Sequence, residues 1–287
     1  MTPATERILA RHDEGKSAAD IAAISSSAIE GLSTDFIASF STAEIAALGT
    51  ASVAGLSSAQ VKALSIDQIE ALSTTQIAAL SSSGAAGLTT EDLGTFSTDE
   101  LVAISSNAIP GLSTDFIVAL STAQIAILTT SQVASLSYSQ VAAMSTEQIA
   151  ALSTTQVNAL NALQLAALDT DDIALFSTDY IVALNSSAIA GLSTRVIASL
   201  TTEQAEALTP SQVAGLTSAQ VAALSTQELA TFSTADIASF SSTGVAGLST
   251  DDIVSLSSEQ LNALMETQMG NLSSDQIAAV ISVYLNA

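Results

Sequence analysis

Three pairs of adjacent acidic residues are the first candidates for chemistry in this sequence. They recur 80 residues apart, as Glu91 and Asp92, Asp171 and Asp172, and Asp251 and Asp252. Carboxylate oxygens are the ligands that hard divalent cations such as Ca²⁺ prefer. Each pair also falls in the first turn of a predicted helix, where the helix dipole favours negative charge without an ion. Because no EF-hand or glycine-rich calcium motif surrounds the pairs, we predict a solvated acidic face, with a weak cation site as the alternative, and no dedicated metal or cofactor site.

Serine is the second candidate, because hydrolases use serine as a nucleophile when a base is held beside it. The chain has a single histidine, His12, in an N-terminal segment unlike the rest of the sequence. The regular placement of the serines indicates helix capping instead. We therefore predict no catalytic residue and a protein that is not an enzyme.

An eight-residue unit positions all of these residues. It repeats 33 times without insertion or deletion over 17–280. Positions 5 and 8 of this octad are apolar in every copy. In the reference copy 73–80 (STTQIAAL), the residues that define the unit are Ser73 at position 1, Gln76 at position 4, Ile77 at position 5 and Leu80 at position 8.

Each octad carries the signal for starting a helix. The Ser73 hydroxyl is placed to accept from the N–H of Gln76, and the Gln76 side chain to accept from the N–H of Ser73, which together form a capping box. Ile77 and Leu80 are three residues apart and share one helix face. Position 4 is Gln in 15 octads and acidic in 8, while position 1 lacks a capping residue only at Gly49 and Met265. We predict that these four positions are the structural residues of the repeat.

The eight-residue period also determines the fold class. In one continuous helix the apolar stripe would shift by about 80° per octad and wind around every face. In a strand, positions 5 and 8 would lie on opposite faces. The pattern therefore predicts an all-α solenoid or superhelix of about 33 short two-turn helices, one for each octad.

The organisation of the chain follows from the limits of the repeat. Residues 1–16 are predicted to form an N-terminal capping helix, and they contain three of the five basic residues, Arg7, Arg11 and Lys16. The predicted segments after it are the octapeptide-repeat solenoid 17–280, with ten-octad super-repeats 17–96, 97–176 and 177–256 and a partial copy 257–280, and the C-terminal helix end 281–287.

Composition argues against nucleic acid as a partner and against a membrane-spanning segment. The chain has 28 acidic and 5 basic residues and a net charge of −23, so binding to phosphates and hence to nucleic acid is disfavoured. Its mean hydropathy is positive at +0.49. Polar residues, mostly Ser or Thr, nevertheless interrupt every octad before an apolar run reaches the roughly 18 residues of a membrane span.

Aromatic residues replace Gln at position 4 in three octads, as Phe36, Phe116 and Tyr180. They are either a contact patch for a partner or packing residues between octads. Exposure in one groove would favour a ligand-binding module, and burial would favour a structural role. A lattice of Ser and Thr hydroxyls facing ice or glycan is a further alternative.

The octads STTQIAAL, STEQIAAL and TSAQVAAL resemble the octapeptide helical repeats of large bacterial surface and adhesin-like proteins. The resemblance implies an extracellular or cell-surface location, with the cytoplasm as the alternative. We predict a non-catalytic structural element, either a spacer, a stalk or a self-assembling fibre subunit whose ends join head to tail. The main alternative is a binding module that recognises a peptide, glycan or cation, and the sequence does not identify the protein or glycan partner.

Overall fold

The computed structural model describes residues 18–286. Within this range the chain is all-α, with 29 α-helices, four 3₁₀ helices and no strand. The helices follow one another as tandem repeats, so the predicted all-α solenoid-like architecture is confirmed. The capping helix predicted over 1–16, with His12, lies outside the described residues.

The helices have the following bounds. The α-helices are Ala18–Ala22, Ser26–Glu30, Thr34–Ala38, Thr42–Ala47, Thr50–Ala54, Ser58–Lys62, Ile66–Glu70, Thr74–Ala79, Ser82–Ala85, Thr90–Leu93, Thr98–Ala103, Thr114–Ala119, Thr122–Ile127, Thr130–Ala134, Tyr138–Ala143, Thr146–Ala150, Thr154–Asn158, Ala162–Leu165, Thr170–Ala174, Thr178–Ala183, Thr194–Ile197, Thr202–Glu206, Pro210–Gly215, Ser218–Val221, Thr226–Thr231, Thr234–Ser239, Thr250–Ser255, Ser258–Gln268 and Ser274–Asn286. The 3₁₀ helices are Ile109–Gly111, Ile189–Gly191, Val245–Gly247 and Met269–Asn271.

Most helices are short because each octad both starts and stops one. In octad 73–80 the capping residue Ser73 has an extended backbone, with φ −71° and ψ 160°. The helix Thr74–Ala79 ends at Leu80, whose ψ of 131° takes the chain out of the helical region. Two consecutive non-helical residues therefore turn the chain between neighbouring helices.

The chain divides into two compact units, Met1–Ala151 and Leu152–Ala287. In the first unit, the helix Thr74–Ala79 packs against helices three octads away on either side, Thr50–Ala54 and Thr98–Ala103. In the second unit, Pro210–Gly215 packs in the same way against Thr234–Ser239. Within each unit the octads therefore form successive turns stacked on one another.

The apolar residues at positions 5 and 8 form the core of both units. From Ile37 to Leu264, every residue at these two positions is buried. Transfer of such side chains from water is the main favourable term in folding, at roughly 1.5–3 kcal/mol for each. A single octad buries too few of them to fold alone, so stability is shared between stacked turns.

Loss of the cap at position 1 changes the helix pattern near the C-terminal end. The helix Ser258–Gln268 runs through Met265, which cannot cap the next octad. The last helix, Ser274–Asn286, similarly runs past Ile281. Gly49 also provides no side-chain cap, yet a new helix begins after it at Thr50.

No helix in residues 18–286 is both long enough and apolar enough to cross a membrane.

Candidate functional site

The polar site of the repeat is built from positions 1 and 4. In the reference octad, the Ser73 hydroxyl accepts from the N–H of Gln76 at 3.4 Å, and Gln76 Oε1 accepts from the N–H of Ser73 at 2.8 Å. Both groups of this capping box satisfy backbone donors that the first helical turn leaves unpaired. The Gln76 side chain still has its amide N–H groups to donate.

Those N–H groups link the octad to the preceding turn of the same unit. Gln76 Nε2 donates to the carbonyl oxygens of Ile45 and Leu48, each at 2.9 Å, which lie 31 and 28 residues earlier. These carbonyls lie at the end of the helix Thr42–Ala47, where carbonyl groups run out of intrahelical donors; that of Ile45 also accepts from the N–H of Leu48. One buried Gln therefore completes the start of its own helix and the end of another.

The link recurs in both units, where each glutamine that makes it donates to the carbonyl oxygen 28 residues earlier. In the first unit it is made by Gln60, Gln68, Gln76, Gln132, Gln140 and Gln148. In the second unit it is made by Gln204, Gln212, Gln220, Gln260, Gln268 and Gln276. All twelve side chains are buried. We refer to these position-4 residues as the glutamine ladder of each unit.

Position 7 is a point of close backbone approach between turns. A Cβ added to Gly111 would overlap the carbonyl oxygen of Ser82, and one added to Gly191 would overlap that of Ala162. The partner in both cases lies at position 2 of an octad 29 residues earlier. Glycine is therefore required at these octads for steric reasons.

The two members of each acidic pair lie in different environments. Asp92 and Asp252 are buried in capping boxes, where each accepts from the backbone N–H and the hydroxyl of its capping residue. Asp172 is also buried and accepts from the N–H of Asp169. The first members, Glu91, Asp171 and Asp251, are exposed. Within residues 18–286, no three Asp, Glu or His side chains form a group that could hold a metal ion, and a weak cation site at the pairs stays a prediction.

Acidic residues at position 4 lack the amide donor of the glutamine ladder. Asp236 shows the consequence most clearly, since its Oδ2 accepts from the N–H and the hydroxyl of Ser233. Its Oδ1 is buried and has no hydrogen-bond partner. A carboxylate thus completes the capping box but cannot donate a hydrogen bond to the carbonyls of the preceding turn.

The pKa of Asp172 makes the stability of the chain depend on pH. Burial raises this pKa, and the neighbouring charges of Asp169 and Asp171 add to the effect, against the lowering by the Asp169 N–H. The folded chain then holds this proton more tightly than the unfolded chain, whose Asp has a pKa of about 3.9. The contribution to stability is full below that value and is lost as the pH rises through the folded pKa.

We expect Asp172→Asn to remove this part of the pH dependence. The free energy of unfolding of the unaltered chain, relative to that of the variant, should rise as the pH falls from 7 towards about 4. Urea denaturation across this range measures the difference. The matched control is Asp251→Asn, which neutralises an exposed carboxylate. Equal pH slopes for the two variants would contradict the effect of burial.

The aromatic residues at position 4 pack inside the repeat. Phe116 is fully buried and Phe36 is 9% exposed. Phe116 makes an edge contact with Phe96, with ring centroids 6.4 Å apart. Tyr180 is half-buried beside Phe176 at 5.3 Å. The two phenylalanines are therefore part of the core, whereas Tyr180 lies at its margin.

We expect Ser73→Ala to lower the free energy of unfolding by about 1 kcal/mol, because the N–H of Gln76 loses the Ser73 hydroxyl as an acceptor. Urea denaturation monitored by circular dichroism measures the loss. Thr74→Ala is the control, since it changes an exposed hydroxyl one residue later. An equal effect of the two substitutions would mean that the cap contributes nothing.

The sequence pattern identified the capping box but missed the second role of Gln. A box is completed equally well by Glu, yet position 4 has 15 Gln and only three Glu, at residues 44, 100 and 228. This imbalance was the available signal that an N–H donor is needed. Glu44 and Glu100 are consistent with this need, because their side chains are partly exposed and not buried like the glutamines of the ladder.

One family of known proteins matches this chain. The family model described as the ALTTAQ repeat matches residues 37–74, 45–82, 111–146, 134–162, 165–202, 221–258, 229–266 and 245–280. Together the matches cover about two thirds of the 287 residues. No curated protein matches the chain.

Proposed function

This chain belongs to the ALTTAQ repeat family, and from that premise we propose that it is a non-catalytic structural protein that acts as a spacer or stalk. The glutamine ladder is the observation that carries the proposal. At twelve octads it joins one turn to the turn before it by hydrogen bonds that are buried from water. Such bonds contribute about 0.5–1.5 kcal/mol each and resist the separation of turns. A spacer needs this resistance along its length.

Burial of the aromatic residues favours the role of a spacer over that of a ligand-binding module. A ligand groove presents aromatic side chains to its ligand, whereas Phe36 and Phe116 are packed in the core. The hydroxyl of Ser73 and the amide of Gln76 are likewise engaged in internal hydrogen bonds. The repeated polar groups thus stabilise the fold.

Stiffness of a unit is the property to measure. The chain has no cysteine, so Ala38→Cys with Ala142→Cys places two spin labels at exposed sites in the first unit. We expect one narrow distance distribution, and a broader one when Gln76→Glu removes a link of the ladder. A broad distribution in the chain with intact glutamines would overturn the spacer role.

The binding module makes a different prediction. A ligand that binds only the folded chain raises its melting temperature by mass action. Thermal unfolding with peptides, glycans and Ca²⁺ should give no saturable increase for a spacer. A saturable increase that is lost on substituting exposed residues would replace the proposed role by that of an adhesin-like binding module.

We propose that the protein acts as a spacer at the cell surface, with the cytoplasm as the alternative location. Support comes from a composition that has no Cys or Trp and is rich in Ser, Thr and Ala, as in the bacterial surface repeats that the octads resemble. Protease treatment of intact cells tests the location, because a surface protein is cleaved and a cytoplasmic protein is protected.

A further inference from the structure

A polar cleft in the second unit is lined by Arg195, which is the only basic residue in the sequence of that unit. The cleft has a volume of about 240 Å³ and lies at the beginning of the helices Thr170–Ala174 and Thr194–Ile197. Its lining residues are Leu168, Asp169, Thr170, Asp171, Ser193, Arg195 and Val196. The side chains of Asp169, Asp171 and Arg195 are exposed. We refer to this site, which presents charges of both signs, as the Arg195 cleft.

Asp169 and Arg195 both depart from the octad pattern. Asp169 is the only Asp at position 1 of the 33 octads, where Ser or Thr is usual. Arg195 is the only basic residue at position 3, and the residues 80 positions before and after it are Asp115 and Asp275. Two departures of opposite charge, far apart in the sequence, therefore lie at one cleft.

A second cleft of the same unit, shifted by 80 residues, shows what these departures change. It has a volume of about 320 Å³, and its lining includes Leu248, Thr250, Ser273, Asp275 and Gln276. Asp275 lies there in place of the guanidinium. Gln276 lies at position 4, where the Arg195 cleft has the apolar Val196. Of the two clefts, only the Arg195 cleft therefore combines a cation with carboxylates.

The charges of the Arg195 cleft select the class of ligand. A guanidinium binds a carboxylate through two parallel N–H donors, and among the described residues Arg195 forms no ion pair with Asp169 or Asp171. Asp169 Oδ1 accepts from the N–H groups of Asp171 and Asp172, so Asp169 Oδ2 and the Asp171 carboxylate are the acceptors for a ligand. A simple anion would meet these two carboxylates, and a simple cation would meet Arg195. A molecule with one ammonium and one carboxylate group satisfies both sides.

The volume of the cleft limits the size of that molecule. At roughly 30 Å³ for each non-hydrogen atom, which is the share of one molecule in liquid water, 240 Å³ holds about eight atoms. Pockets for drug-sized ligands begin at about 300 Å³. We propose that the Arg195 cleft binds a small α-amino acid, with the ligand carboxylate on Arg195 and its ammonium group on Asp171 and Asp169. The proposal goes beyond the spacer role, which depends on buried links between turns and not on this exposed cleft.

Titration of the isotope-labelled chain with glycine, followed by NMR of the backbone amides, tests the proposal. We expect saturable shifts at the amides of Thr170, Asp171 and Arg195. The dissociation constant should be millimolar, because interactions between exposed charges are weak in water. Acetate and methylammonium each carry one of the two charged groups of glycine. At the same ionic strength, each should bind about tenfold more weakly than glycine or worse.

Variants of the two charged sides assign the contacts. Arg195→Gln should raise the dissociation constant for glycine by about tenfold or more, because it removes a charged pair of donors. Asp171→Asn should raise it by about threefold. Lys62→Gln, which removes an exposed basic side chain of the first unit, is the control and should leave it unchanged. Circular dichroism should show all three variants folded, because the altered side chains are exposed.

Three results would overturn the amino-acid site. The absence of saturable shifts with glycine would mean that Arg195 only offsets the neighbouring negative charge. Binding of acetate as tightly as glycine would indicate an anion site in which Asp171 has no part. Unchanged binding of glycine by Arg195→Gln would place the ligand elsewhere on the chain. None of these results bears on the stiffness of a unit, so the spacer role is tested separately.

Discussion

Exchanging Gln140 for Glu should lower the free energy of unfolding by about 3–5 kcal/mol at neutral pH. Gln140 Oε1 accepts from the N–H of Ser137 at 2.7 Å, and Glu retains this acceptor. Gln140 Nε2 donates to the carbonyl oxygens of Ile109 and Leu112, both at 2.8 Å. The exchange leaves the carbonyl of Leu112 unpaired beside a buried carboxylate, whereas the carbonyl of Ile109 still accepts from the N–H of Leu112 at 3.1 Å. Each unpaired buried group costs about 1–3 kcal/mol, and a charged one costs more.

Urea denaturation of Gln140→Glu and Gln124→Glu measures this effect against a matched control. Gln124 forms the same capping box with Ser121 but is half-buried and donates to no carbonyl of an earlier turn. Its exchange should change the free energy of unfolding by about 0.5 kcal/mol or less. Equal losses for the two variants would mean that the ladder adds nothing to the box.

Local features of the repeat could be predicted from the sequence because their partners are near in the chain. Ser73 and Gln76 are three residues apart, so the capping rule alone relates them. The apolar pattern at Ile77 and Leu80 likewise required only helix geometry. Both the all-α class and the tandem arrangement follow from these short-range relations.

The ladder could not be assigned because its partners are 28 and 31 residues away. That separation depends on how far the chain turns between helices, which is set by the backbone angles of residues such as Leu80 and Ser73. A few degrees at each junction accumulate over a whole turn. The small residues at position 7 indicated a close approach, but not that Gly111 would approach Ser82.

The period of the stack also explains why one position has several environments. Partners lie 24 to 31 residues apart, so a turn contains between three and four octads. Position 4 therefore faces a preceding turn in some octads and solvent in others. Phe116 is fully buried while Tyr180 is half-buried, although the octad pattern gives them the same place. For this reason the sequence alone could not decide whether these aromatic side chains are buried or exposed.

Asp236→Gln should raise the free energy of unfolding by about 2–3 kcal/mol. The substitution removes a buried Oδ1 that has no hydrogen-bond partner. It also supplies an amide at a ladder position whose register, 31 and 28 residues earlier, corresponds to the carbonyls of Ala205 and Leu208. Gln212 makes these two bonds at 2.7 Å to Ile181 and Leu184 in the same unit. The exchange therefore turns an incomplete link into a complete one.

The matched control for this gain is Glu100→Gln, which changes a carboxylate to an amide at a partly exposed position 4. Glu100 completes its box with Ser97, and Gln would do the same, so little change is expected. Urea denaturation of both variants separates the two contributions. If Asp236→Gln gained no more than Glu100→Gln, relief of the net negative charge would explain the result, and the missing amide at Asp236 would not. A larger gain at Asp236 alone would locate the effect in the buried link between turns.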